Sequence, residues 1–89
     1  MKLTPEQLEA LRREPYRAVG NRLGAAMRIA DVRAVDLSRA TRLPQQYISD
    51  VKKGRWRALR LDNAYKFATF FGCYIEDLFP RASTRKAAA

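Results

Sequence analysis

The chain has 89 residues, 18 Lys and Arg against 9 Asp and Glu, no His and one Cys. This length supports one small domain with a modest core, and a formal charge of +9 favours a polyanionic partner. A zinc site, a disulfide and convergent acid–base catalysis all lack the residues to build them, so neither an enzyme nor a cofactor or metal is expected.

Taken in order, Thr4-Pro5-Glu6-Gln7 is a helix start, with Thr as N-cap, Pro at the first helical position and an acid in the first turn. Leu3, Leu8 and Leu11 give this segment a narrow apolar stripe that must pack on the domain or on a second subunit. Pro15 disfavours helical geometry at Glu14 and should end it. Tyr16, Val19, Leu23, Ala26, Met27 and Ala30 then recur at helical spacing and predict a second helix from about 16 to 30. Gly20 and Gly24 would both lie on it and weaken it by about 1 kcal/mol each against alanine.

Residues 34–54 predict two short helices joined by a tight turn. Leu37, Ala40 and Thr41 share one face of the first, and Pro44 suits the first turn of the second. Ile48 and Val51 face inward, with Leu43 between the helices. That leaves Gln45, Gln46, Tyr47, Ser49, Asp50, Lys52 and Lys53 facing outward. Amides, a hydroxyl and cations on one face suit base edges and phosphates. Asp50 either accepts from a cytosine or forms a surface ion pair. Gly54 is a natural left-handed stop. Beyond it Lys52, Lys53, Arg55, Arg57 and Arg60 crowd together with no acid between Asp50 and Asp62. A helix from about 60 to 71 should bury Leu61, Ala64, Phe67, Ala68 and Phe71, and Gly72 should end it. Cys73 reads as a small buried hydrophobe. A last short helix, about 75 to 79, brings Ile75, Leu78 and Phe79 to the core before Pro80. The apolar runs are too short to span a membrane, and the N-terminus lacks a signal-peptide core, which predicts a cytoplasmic protein.

The stretch from Ala34 to Gly54 resembles the helix-turn-helix of the Cro/C1-type, or XRE, regulators. Leu37, Ile48 and Gly54 fall at that family's spacing, and Ile48-Ser49 matches its frequent Ile-Ser pair. Val19-Gly20-Asn21-Arg22-Leu23 is similar to its first helix, and Val32 stands at the apolar position before the second. Leu61, Phe67-Ala68, Phe71-Gly72 and residues 75–79 match the last two helices. Arg33-Ala34 replaces the family's usual Ser-Gln, Ser38 its small Ala, and Arg42 the Gly of its turn. A non-Gly residue there either takes a strained left-handed conformation or changes the turn.

The resemblance implies an all-α fold, a compact five-helix lambda repressor-like DNA-binding domain with an additional short N-terminal helix. Residues 1–15 would be the helical extension, 16–80 the DNA-binding domain and 81–89 a flexible basic tail. The implied function is a sequence-specific double-stranded DNA-binding transcription regulator. It would be a repressor of the small stand-alone Cro-like type, bacterial or phage-encoded and nucleoid-associated, acting as a homodimer on a pseudo-palindromic operator. No membrane or small-molecule partner is expected. The alternative is a protein-interaction module or antitoxin of the same fold. The base-contacting candidates are Gln45, Gln46, Tyr47 and Ser49; Tyr47 could equally pack against the loop. The phosphate-contacting candidates are Arg33, Lys52, Lys53, Arg55, Trp56 and Arg57. Trp56 either lies on the DNA backbone or folds onto the core near Leu59 and Leu61. The dimer surface is open between the last helix, with Tyr74 and Phe79, and the N-terminal helix, with Leu8 and Leu11.

Overall fold

The computed structural model describes residues 2–55 and 59–80. Among these the fold is all-α, with α1 (Pro5–Arg12), α2 (Leu23–Ala30), α3 (Ala34–Thr41), α4 (Gln45–Lys52), α5 (Leu61–Phe71) and α6 (Ile75–Leu78). Every helix sends at least one fully buried side chain into a single core: Leu11, Leu23, Leu37, Ile48, Val51, Phe67, Phe71 and Leu78, joined by Phe79 just past α6. The Phe67 and Phe79 rings pack with centroids 6.3 Å apart. None of the described helices is long and apolar enough to cross a membrane. The tail from 81 to 89 lies outside the described residues.

The N-terminal helix forms for the reason its sequence suggests. Thr4 Oγ1 accepts the Gln7 N–H at 3.2 Å, and Gln7 Oε1 accepts the Thr4 N–H at 2.9 Å, a reciprocal cap that satisfies two orphan donors. It packs on its own domain. Leu3 and Leu11 are buried, and the Leu3 N–H donates to the Phe71 carbonyl at 2.8 Å. Arg12 forks onto Asp77 at the other end of the chain, Nε to Oδ1 at 2.8 Å and Nη2 to Oδ2 at 3.3 Å. Asp77 is buried and also accepts the Tyr74 N–H at 3.0 Å. Burial pushes its carboxyl up. The Arg12 hydrogen bond, the Tyr74 N–H and the charges of Arg12 and Arg22 outweigh that and hold it below the usual carboxylate range.

The helix expected over 16–30 is much shorter. Only Leu23–Ala30 is helical, and 17–20 form a turn closed by the Gly20 N–H on the Tyr16 carbonyl at 2.6 Å. Gly20 stands at φ +81°, a left-handed conformation that ends any helix running through it. Val19 is accordingly 38% exposed, not core, and Tyr16 is only half-buried beneath the Arg22 guanidinium, 4.9 Å from its ring centre. Apolar spacing alone cannot tell one helix from a turn that happens to continue its period.

Smaller departures follow the same logic. Ala40 is exposed although Leu37 and Thr41 beside it are buried. Pro44 stands just before α4 with ψ 145° and is not part of it. Leu61, at the first position of α5, is 47% exposed. Cys73 is half-buried against the core, and burial pushes its thiol up to about 12, which favours the protonated form near neutral pH.

Candidate nucleic-acid interface

The site is built on α3, the turn and α4. Arg33 offers no side-chain acceptor to cap α3. Asp36 compensates from within the first turn: its Oδ2 accepts the Arg33 N–H at 3.1 Å, and both its oxygens hold the Arg33 guanidinium at 3.1 and 3.2 Å. The Arg33 side chain in turn keeps the Asp36 carboxyl below its usual range. At the end of α3, Arg42 takes the left-handed conformation, φ +61°, that glycine would adopt without strain. Three bonds secure it. The Arg42 N–H reaches the Ser38 carbonyl at 2.7 Å, Ser38 Oγ donates to the Leu43 carbonyl at 2.6 Å, and Thr41 Oγ1 donates to the Leu37 carbonyl at 2.7 Å. The replacements Ser38 and Arg42 are thus coupled, since the hydroxyl of the first closes the turn made by the second.

In α4, Ile48 and Val51 face the core and are fully buried. Gln45 and Gln46 are exposed, and Ser49 and Asp50 are half-buried. Asp50 joins no ion pair among the described residues. It accepts the Gln46 amide, Nε2 to Oδ1 at 3.0 Å, one turn back along the same face. Gln46 keeps its carbonyl oxygen and one N–H for another partner. Tyr47 packs against the core, and its hydroxyl accepts from Asn63 Nδ2 on α5 at 3.1 Å, leaving its own O–H to donate.

The C-terminal end of α4 is held by residues that periodicity does not single out. Asn21 is buried; its Nδ2 donates to the Val51 carbonyl at 2.7 Å and its Oδ1 accepts the Leu23 N–H at 2.9 Å. One amide therefore ties the start of α2 to the end of α4. Gly54, at φ +78°, passes so close to this strap that a Cβ would come within 2.7 Å of the Val19 carbonyl oxygen. The Arg55 N–H closes the end on the Asp50 carbonyl at 2.7 Å. The signal for Asn21 is the Gly-Asn pair itself, a turn signature inside an apparently helical run.

Around this end lie the cations. Lys53 and Arg55 are exposed, while Lys52 lays its stem along α2, where a Cβ on Gly24 would meet its Cγ at 2.9 Å. Lys52 and Arg33 line one groove of about 280 Å³ with Ala34 at the start of α3. Lys52, Lys53 and Arg55 join no ion pair among the described residues, whereas Arg33 is paired with Asp36. The structure thus gathers Gln45, Gln46, Tyr47 and Ser49 on α4, with Lys52, Lys53, Arg55 and Arg33 around its C-terminal half. Trp56 and Arg57 lie outside the described residues. Among the described residues no cluster of His, Cys, Asp and Glu could hold a metal ion.

The sequence pattern of the Cro/C1-type HTH DNA-binding domain matches residues 22–81. No curated protein and no solved structure matches the chain significantly.

Proposed function

The chain belongs to the Cro/C1-type helix-turn-helix DNA-binding family, and on that footing we propose that it is a sequence-specific repressor that lays α4 in the major groove of operator DNA. The observation that carries this reading is the contrast within α4. Its inner face is locked by Ile48, Val51, the Tyr47–Asn63 hydrogen bond and the Asn21 tether, while its outer face presents two exposed amides beside Lys52, Lys53 and Arg55, which join no ion pair among the described residues. A rigidly held helix with adaptable donors and acceptors suits base-edge reading, and a glutamine can bond adenine bidentately.

Gln45, Gln46 and Ser49 are the proposed base-edge contacts, with Tyr47 contributing its remaining donor. Lys52, Lys53, Arg55 and Arg33 would bind phosphates and set the register of the helix. The Arg33 guanidinium would share itself between Asp36 and a phosphate oxygen. A single helix gives limited affinity, so two copies on a pseudo-palindromic site in the cytoplasm complete the reading. Repression by occlusion requires occupancy alone, which the proposed contacts supply.

Selection of bound sequences from random duplexes tests the proposal. A two-fold related motif should emerge, and Gln46→Ala should relax one position in each half-site at a cost of about 1–3 kcal/mol on the preferred site. Equal losses on selected and random DNA would remove Gln46 from the reading set. No enrichment at all would sink the sequence-specific reading.

A further inference from the structure

The outward side of α5 supplies none of the DNA contacts proposed above. Leu61, Tyr65 and Thr69 repeat at i, i+4 along it, opposite the buried Ala64, Phe67, Ala68 and Phe71. Among the described residues, most of the exposed large apolar side chains lie here. Tyr65 is 57% exposed and Tyr74, just before α6, is 68% exposed, in addition to the half-exposed Leu61. Tyrosines in this setting mark protein interfaces, since they bury much area with few rotamers to fix. Asn63, which meets Tyr47 of α4, lies about 200° of helical rotation from Tyr65. The stripe therefore faces away from the recognition helix, and covering it would leave α4 accessible.

Its shape and charge are both paired. Tyr65 and Thr69 form a ridge with a groove on either side, one of about 440 Å³ and one of about 300 Å³. The larger groove carries Arg42 and Lys66, and the smaller carries Tyr74 and Glu76. Arg42, Lys66 and Glu76 are all exposed, and none joins an ion pair among the described residues. A ridge between a basic groove and an acidic groove is complementary to itself after a two-fold rotation, which is the requirement of an isologous contact.

We propose that this face binds a second copy of the chain. In the dimer the Tyr65–Thr69 ridge of each copy enters a groove of the other, and Lys66 of each copy meets Glu76 of its mate. The inference rests on the two-copy reading of DNA proposed above and assigns it a surface.

Sedimentation velocity on the whole chain, over a concentration series without DNA, tests it. The unaltered protein should dimerise. Tyr65→Glu should raise the dissociation constant about tenfold or more, the scale of losing a central aromatic anchor, with helicity unchanged and, at concentrations dilute enough for the parent to be monomeric, the same melting temperature, because Tyr65 is 57% exposed. Lys66→Glu and Glu76→Lys should each weaken self-association, and an equimolar mixture of the two variants should restore it as a heterodimer. A protein that stays monomeric at the highest attainable concentration would overturn both the two-copy reading and this surface. A dimer that withstands Tyr65→Glu and both charge reversals would overturn the surface alone.

Discussion

The two sides of the molecule use their cations differently. On the side where α1 meets α6, Arg12 forks onto Asp77, Arg28 reaches Glu14 at 2.6 Å, and Arg13 approaches Glu9 at 3.7 Å. Arg22 commits its guanidinium to the carbonyls of Arg12, Glu14 and Asp77. At the end of α4, Lys52, Lys53 and Arg55 have no acidic partner among the described residues. The net charge is thus spread unequally in what it can do. The first set closes the chain on itself, and the second remains available to a polyanion.

Substitutions that separate folding from binding should break this contrast into its parts. The largest expected effect is on the paired side. Asp77→Ala strands the Tyr74 N–H and the Arg12 fork, and should cost about 2–3 kcal/mol of stability, less than a fully buried pair because Arg12 is half exposed. Well below the melting temperature, DNA affinity should be unchanged. Because the folded carboxyl sits below its usual range, its contribution is complete above about pH 4 and fades as pH falls through the lowered value. Thermal melts between neutral and acid pH should therefore converge for the parent and Asp77→Asn as acidity rises.

Next in size is Asn21→Ala, which leaves the Leu23 N–H and the Val51 carbonyl without their buried partner and should cost about 2 kcal/mol. Unlike Asp77→Ala, it should also weaken DNA binding at temperatures where the variant is folded, because it frees the end of α4. Equal binding by the two variants would show that the tether does not position the helix. The smallest effect belongs to the turn. Arg42→Gly removes a left-handed penalty of about 1–2 kcal/mol and adds a glycine entropy cost of about 0.5–1 kcal/mol, so chemical denaturation should show a slight stabilisation. A loss would mean that the Arg42 side chain contributes more than its backbone strain costs.

What the sequence disclosed follows from the kind of signal involved. Local chemistry was legible: the Thr4–Gln7 cap, the left-handed stops at Gly54 and Gly72, and the inward Ile48 and Val51 all follow from residue type and spacing. Burial periodicity misled where it ran through a turn, at Tyr16 and Val19, and at the end of a helix, at Leu61. The polar ties were not legible, because Asn21 with Val51 and Arg12 with Asp77 join residues far apart in the chain and no periodic pattern encodes them. In the candidate site, the exposure of Gln45 and Gln46 could be read from the helix period, but Tyr47, expected on the same outward face, packs against the core. That Gln46 leans on Asp50 and Tyr47 on Asn63 depended on side-chain geometry.

The central claim is that the cations beside α4 act on nucleic-acid phosphates, and the salt dependence of duplex binding tests it most directly. Anisotropy titrations of a labelled duplex at several salt concentrations should give a log–log slope near −0.9 for each phosphate neutralised. Lys53→Ala should reduce the magnitude of that slope by about 1 and weaken selected and random duplexes alike. A flat response to salt, or a slope untouched by Lys53→Ala, would contradict the account.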